Sequence, residues 1–381
     1  MIKRVFYIII LFIFQSCSIF MPLKDLPKPD GKFIVGTDII ILEDNNRREL
    51  FTEDPNDNRK IVVQIWYPAA EHGDSIYPYI DYPDIRASYI SERLGVPEFM
   101  IKHFSTVKTN SYYKARYIND QFPVIIFSHG LGGNRTQNSA NIESLASNGY
   151  IVFAIEHTFD ANVTVFNDST FFGFDSHLDD DISKEEFYNV RIPQIKTRAE
   201  DISFLIDQLS IFKSNNFYMG KISNTNSIGV FGHSFGGGTV VVSSYLDSRI
   251  DACINLDGWF EPIPQNVIKK GLSIPFCYIG QIQKDWMGAP YNEKKILEFH
   301  NNNTNNSHII EIAHTKHFDY ADIPYLTRIS RLLGLSGKAG KNLTLDLNKT
   351  ITSFFNMHLK GKTINWEKDL KNNYQTINNI K

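Results

Sequence analysis

The chain of 381 residues has only three cysteines, Cys17, Cys253 and Cys277, too few for the disulfide framework of a small secreted scaffold. No Cys/His spacing suits a structural zinc site, and no cofactor motif is present. A surplus of positive charge is also missing: 39 Lys and Arg against 42 Asp and Glu leave a net charge of −3. That balance excludes nucleic acid as the main partner, because phosphate binding needs clustered, unbalanced cations. Internal repeats are absent, and 23 Gly with 15 Pro is too few for collagen-like or low-complexity classes. No apolar run can cross a bilayer. The run Val5 to Phe14, ten residues long, would rise about 15 Å as a helix, half of a hydrocarbon core of about 30 Å. What is present is a 42% hydrophobic share, enough to build a large core.

Lys3 and Arg4, the apolar run, and then Gln15, Ser16 and Cys17 follow the order of a secretory signal. Ser16 and Cys17 resemble a bacterial lipobox, although Phe14 and Gln15 depart from its usual residues. The expectation is a lipoprotein signal over 1–17, a lipid on Cys17, and a protein tethered to a membrane of the bacterial cell envelope; plain secretion is the alternative. Residues 18–32, with Pro22, Pro27 and Pro29, read as a tether. Cys253 and Cys277 lie in apolar runs and read as buried thiols.

From about residue 33 a single domain is expected. Short β-branched runs alternate with helical stretches, giving strands at 33–41, 61–67, 124–128, 151–156, 228–232, 252–256, 275–280 and 308–313. The last six are almost continuously apolar, as strands buried on both faces of a parallel sheet are. Helices are expected at 137–147, 195–212, 236–246, 293–300 and 343–359. The fold class is therefore α/β, with an eight-stranded, mostly parallel sheet flanked by helices. Two stretches, 69–121 and 159–192, exceed any simple connection and read as insertions over the active-site end of the sheet. The acidic run Asp179 to Asp181 reads as a solvated loop.

Immediately after the fifth strand stands Gly232-His233-Ser234-Phe235-Gly236, followed by a helical run. This is G-x-S-x-G between strand and helix, where glycines on either side of the serine allow the sharp turn that exposes its hydroxyl. A neutral serine needs a base, and the base needs an acid to fix its tautomer. Chain order Ser, Asp, His leaves His317 as the base, with His314 in reserve, both in the loop after the last strand. Asp257, after the sixth strand, and Asp285, after the seventh, compete as the acid. The oxyanion of the tetrahedral intermediate needs two backbone N–H donors. Phe235, the residue after the serine, supplies one, and Leu131 in the Gly-rich turn His129-Gly130-Leu131-Gly132-Gly133 supplies the other.

The blocks Phe-Ser-His-Gly-Leu-Gly-Gly (127–133), Ile-Glu-His (155–157), Gly-His-Ser-Phe-Gly-Gly (232–237), Leu-Asp-Gly-Trp (256–259) and His-Phe-Asp-Tyr-Ala-Asp (317–322) together resemble the plasma-type platelet-activating factor acetylhydrolase family of the α/β-hydrolase superfamily. The resemblance implies Asp257 rather than Asp285 as the acid and His317 rather than His314 as the base. It also implies Leu131 and Phe235 as oxyanion donors, and a substrate pocket with His129, Gly130 and Trp259. Neither insertion carries a block that aligns with the family.

The activity so implied is calcium-independent hydrolysis of short or oxidised acyl chains from phospholipids, through an acyl-enzyme and without cofactor or metal. A general carboxylesterase, a polyester hydrolase and a carbohydrate deacetylase share the chemistry and stand as alternatives, with acyl transfer and a non-catalytic surface-binding module further off. The oligomeric state is not written in the sequence.

Overall fold

A computed structural model describes residues 24–381 apart from 96, 168, 176–177, 179–181, 216, 283–288, 290, 328, 365, 367, 369, 371–376 and 381. Cys17, Asp179 to Asp181 and Asp285 lie outside the described residues.

All eight expected strands form, as β1 (Ile34–Arg48), β2 (Asn58–Ala69), β5 (Phe122–Ser128), β6 (Ile151–Glu156), β9 (Ser223–His233), β10 (Ala252–Leu256), β11 (Phe276–Gly280) and β12 (Ser307–Ile312). They lie in one sheet in the order β12-β11-β10-β9-β5-β6-β2-β1. The strand count needs correction. Among the described residues the sheet has eleven strands, because β3 (Ile76–Pro78) and β4 (Lys108–Tyr113), from the first insertion, extend the β1 edge and β13 (Ile377–Ile380) pairs with β12. The second insertion contributes a separate hairpin, β7 (Val163–Asn167) with β8 (Thr170–Gly173).

The central strands β5, β6, β10 and β11 are buried at every residue, which is why their sequences run apolar without alternation. One face of the sheet is covered by α4 (Lys184–Ser214) and α6 (Phe235–Leu246), the other by α3 (Ser139–Ser147) and α10 (Gly340–Leu359). In α4, Ile195, Ile202, Leu205 and Leu209 enter the core, each contributing roughly 1.5–3 kcal/mol of apolar burial. That helix begins eleven residues before the expected Ile195 because Ser183 and Glu186 close a reciprocal capping box at its first turn.

The first insertion also carries α1 (Pro83–Leu94) and α2 (Glu98–Lys102). A buried ion network welds it to the sheet: Arg135 and Arg86 both bind Glu156 at the end of β6 (2.7 and 3.1 Å), and both reach Asp81 in the insertion. Burial alone would raise the Asp81 carboxyl, but the two guanidinium charges outweigh it and hold the group below the usual carboxylate range.

Residues 24–31 are not a free tether. Lys24 N donates to Leu326 O, Leu26 N to Lys108 O (3.0 Å) and Gly31 N to the Ser147 hydroxyl (3.0 Å). Leu26 is buried in a small apolar cluster with Tyr79, Ile80 and Leu326. Proline content alone cannot distinguish a docked extended segment from a solvated one. No helix among the described residues is long and apolar enough to cross a membrane.

Candidate active site

Ser234 stands between β9 and α6 at φ 58°, ψ −121°, a left-handed conformation that is strained for any residue with a side chain. The turn is possible because of its glycines. A Cβ on Gly232 would lie 2.3 Å from Gly236 O, and one on Gly236 would lie 2.0 Å from Ser128 O. Ser234 N is anchored to Leu256 O (3.0 Å), and Trp259 N donates to Ser234 O (2.9 Å), so the elbow is stitched to the end of β10.

Asp257 follows β10, and its carboxylate is fully buried. Its Oδ2 lies 2.7 Å from His317 Nδ1. Gln281 supplies the rest of its shell, the backbone N–H to Oδ1 (2.8 Å) and the side-chain amide to Oδ2 (3.0 Å). Tyr278, whose hydroxyl donates to Gln281 O (2.8 Å), stands 3.3 Å from Oδ1. Burial pushes this carboxyl up, but the His317 hydrogen bond, the His317 charge and the Gln281 N–H together bring it below the ordinary value. An ionised carboxylate only accepts hydrogen bonds, so His317 Nδ1 carries the proton and Nε2 is left for a substrate-side partner. His317 opens a short 3₁₀ turn, His317–Tyr320, beyond β12. His314 is exposed, in the preceding turn.

The turn expected to hold the oxyanion lies against the serine: a Cβ on Gly130 would stand 3.2 Å from Ser234 Cβ. Gly133 N donates to Gly130 O (2.9 Å), Gly132 N to Asp160 O (2.8 Å) and Asn162 N to Gly133 O (2.8 Å), so backbone bonds fix its shape. Phe235 is the first residue of α6, where the N–H has no carbonyl partner within the helix.

One cavity of about 250 Å³ joins these parts, with Ser234, His317, Gly130 and Leu131 in its wall. Ile80, Ile90, Phe104, Ile323 and Leu326 make much of the remainder apolar. Two expected pocket residues are elsewhere. His129 is fully buried below the turn, its Nε2 accepting from His157 N (3.2 Å), because that N–H needs an acceptor inside the protein. Trp259 is not in the cavity wall; its indole packs on Phe235 (5.9 Å) and Phe187 (5.5 Å).

Several residues that the sequence did not single out hold the site. Gly130 N donates to Gln137 Oε1 (3.1 Å), Gln137 Nε2 donates to His233 Nδ1 (2.5 Å), and His233 Nε2 donates to His317 O (3.1 Å). This chain of bonds ties the glycine turn to the backbone of His317. Burial, then the neighbouring His317, pushes His233 down to about 3, so it stays neutral and keeps that tautomer. Beneath the turn lies a second cluster: Ser128 Oγ is 3.0 Å from His157 Nε2, and His157 Nδ1 is 2.8 Å from Asp201 Oδ2. Arg198 donates to Ser128 Oγ (3.1 Å) and to His129 O, and Arg59 holds Asp201 (2.7 Å). Among the described residues no three His, Cys, Asp or Glu side chains converge as a metal site would require.

Comparison with known proteins agrees with this architecture. A ferulic acid esterase from Streptomyces cinnamoneus superposes with a TM-score of 0.74 at 24% identity, over 90% of this chain and 95% of that one, which shows the fold. Platelet-activating factor acetylhydrolase from Canis lupus familiaris is 27% identical over 364 residues, 88% of this chain and 77% of the relative. The enzyme of the same name from Cavia porcellus is 25% identical over 358 residues, 88% and 78% of the two chains. Residues 18–377 match the profile of the family described as platelet-activating factor acetylhydrolase, isoform II. The chain belongs to that family and is an ester-hydrolysing serine hydrolase of the α/β-hydrolase fold.

Proposed function

We propose that this enzyme releases short or oxidised acyl chains from phospholipids, using Ser234 as nucleophile, His317 as general base, Asp257 as its orienting acid, and the N–H groups of Leu131 and Phe235 as the oxyanion hole. The observation that carries the residue roles is the 2.7 Å bond from His317 Nδ1 to the buried Asp257, with His317 and the Ser234 elbow in the wall of one cavity. In the first half-reaction His317 Nε2 takes the Ser234 proton as Oγ bonds to the ester carbonyl. The resulting oxyanion is held by the two N–H groups. Collapse breaks the bond to the alcohol oxygen, which leaves with the proton from His317. Water then repeats the sequence on the acyl-Ser234, and the carboxylic acid departs. Asp257 stays ionised throughout, stabilising the imidazolium that forms twice per turnover.

The substrate class is supported by the names of the relatives and by a cavity whose volume, about 250 Å³, and apolar lining suit a short acyl group. We also propose that a lipid on Cys17 places the enzyme in the bacterial cell envelope, in reach of such esters. Hydrolysis of p-nitrophenyl esters from acetate to palmitate, beside a phospholipid with a short sn-2 chain and the Ser234→Ala control, tests the activity. Phospholipid turnover with a steep fall beyond short chains is expected. Simple-ester turnover without phospholipid turnover would favour a general carboxylesterase. Loss of radiolabelled palmitate incorporation on Cys17→Ala is the matching test of the anchor.

A further inference from the structure

Arg93 is in the last turn of α1 and in the wall of the catalytic cavity. Most arginines at the core of the molecule face a carboxylate: Arg59 binds Glu49 and Asp201, Arg86 and Arg135 bind Asp81 and Glu156, and Arg47 binds Asp44 and Asp201. Arg93 has no carboxylate partner among the described residues. Its guanidinium lies 4.4 Å from the centre of the Phe174 ring and donates one long bond, 3.3 Å, to Leu131 O. Burial lowers its affinity for a proton with no neighbouring anion to restore it. In the same wall the Oδ1 of the buried Asn162 has no hydrogen-bond partner. Much of the Arg93 side chain is open to solvent, and the cavity wall it shares holds no carboxylate to answer its charge.

We propose that Arg93 seats an anionic oxygen group carried by the ester substrate, a headgroup phosphodiester or the terminal carboxylate of an oxidised acyl chain. This rests on the phospholipid reading above and adds to it the residue that separates anionic esters from neutral ones. The guanidinium fork can offer two parallel N–H bonds to such a group while its bond to Leu131 O keeps it beside the oxyanion turn.

The test compares matched substrates in the wild type, Arg93→Gln and Arg93→Lys. The first pair is 1-alkyl-2-acetylglycerophosphocholine and the same molecule without its phosphocholine; the second is p-nitrophenyl butyrate and mono-p-nitrophenyl glutarate. Arg93→Gln is expected to lower the anionic-to-neutral ratio of kcat/KM in one pair by about tenfold to a hundredfold, chiefly through KM, with partial recovery in Arg93→Lys. A fall in the first pair assigns the seat to the phosphodiester, and a fall in the second to the acyl carboxylate. An unchanged ratio in both pairs overturns the proposal, including the case in which both members of a pair drop together, since Arg93 then only braces the oxyanion turn. Glycerophosphocholine inhibition of p-nitrophenyl acetate turnover keeps the two readings separable. If the wild type ignores phospholipid yet is inhibited, and Arg93→Gln relieves the inhibition, the substrate reading fails while the seat stands. If inhibition is absent, or equal in both proteins, and neither ratio moves, the seat fails.

Discussion

The molecule holds two buried His–Asp pairs of similar spacing, each belonging to a Ser, His and Asp set, and their surroundings separate them. His317 Nδ1 is 2.7 Å from Asp257, and His157 Nδ1 is 2.8 Å from Asp201. The surroundings differ. Ser234 sits on a strained elbow in a cavity wall, whereas Ser128 is a fully buried strand residue whose Oγ already accepts a hydrogen bond from Arg198. Asp257 faces the one imidazole and the Gln281 amides, while Asp201 is shared among Arg47, Arg59 and His157. Burial, followed by the Arg198 charge, pushes His157 down to about 3, so it is a poor acceptor for a serine proton. Triad geometry is thus not sufficient. On the function proposed above, an imidazole and a serine that share a cavity wall make the difference, and the buried set fixes the strand that leads into the glycine turn.

Exchanging the same atoms in the two sets should separate them most sharply. Ser234→Ala should reduce kcat by about 10⁴- to 10⁶-fold, while Ser128→Ala should leave labelling of Ser234 by a fluorophosphonate intact; equal loss of labelling in both would merge the two roles. For the acids, Asp257→Asn should cost about 10⁴-fold in kcat with little change in urea midpoint. Asp201→Asn should show the reverse order of effects, losing about 3–5 kcal/mol of stability by uncoupling the buried Arg59, read as a fall in the urea midpoint. A smaller effect is expected at the link between the turn and the base. His233→Gln should lower kcat by about tenfold, the scale of one lost charge-free hydrogen bond at a site, with KM moving less.

The last prediction concerns acid. His157 and His233 are both held down to about 3, with burial the leading cause. Below the ordinary imidazole value near 6.5 the unfolded chain takes up protons that the folded protein refuses, so stability falls as pH drops from about 6.5 toward 3. Each group contributes about 1 kcal/mol per pH unit across that window. Chemical denaturation at pH 7 and pH 5 should show a loss that is smaller in His157→Gln relative to its own value at pH 7. The buried carboxyls of Glu143 and Asp322, pushed up by burial, act in the opposite direction, so the test is the difference: an equal loss in wild type and His157→Gln would contradict a neutral, buried His157.

The sheet was legible because strands buried on both faces must be apolar along their whole length, as β5 (FPVIIFS) and β6 (IVFAIE) are. The strands added beyond β1 and β12 were not: β4 reads KTNSYY and β13 INNI, polar enough to pass for loop, and only pairing with β1 and β12 makes them strands. The serine elbow could be read from the spacing of Gly232 and Gly236, since backbone closeness there allows no side chain. His129, which the resemblance implies for the pocket, turns its ring inward to meet a buried N–H, a partner no local pattern announces. Gln137 and His233 lie 96 residues apart in sequence, and no local pattern announces a side-chain bond over that distance. Asp322 is similar: its backbone N–H meets Gln137 O (3.0 Å) and its carboxylate meets Ala140 N (3.2 Å), which accounts for the Tyr-Ala-Asp block as a clasp on the start of α3.

The docking of residue 24 onward sets the length of a leash. Should Cys17 carry the lipid, six residues separate it from Lys24, the first described residue and one fastened to the domain, and the seven steps fully extended reach at most about 25 Å. The domain would then be held close against the membrane surface, its cavity never more than a short reach from the lipids around its anchor. Because Leu26 shares its cluster with Ile80 and Leu326, which also wall the cavity, any pull along that leash would be borne by the same side chains that shape the seat of the acyl chain.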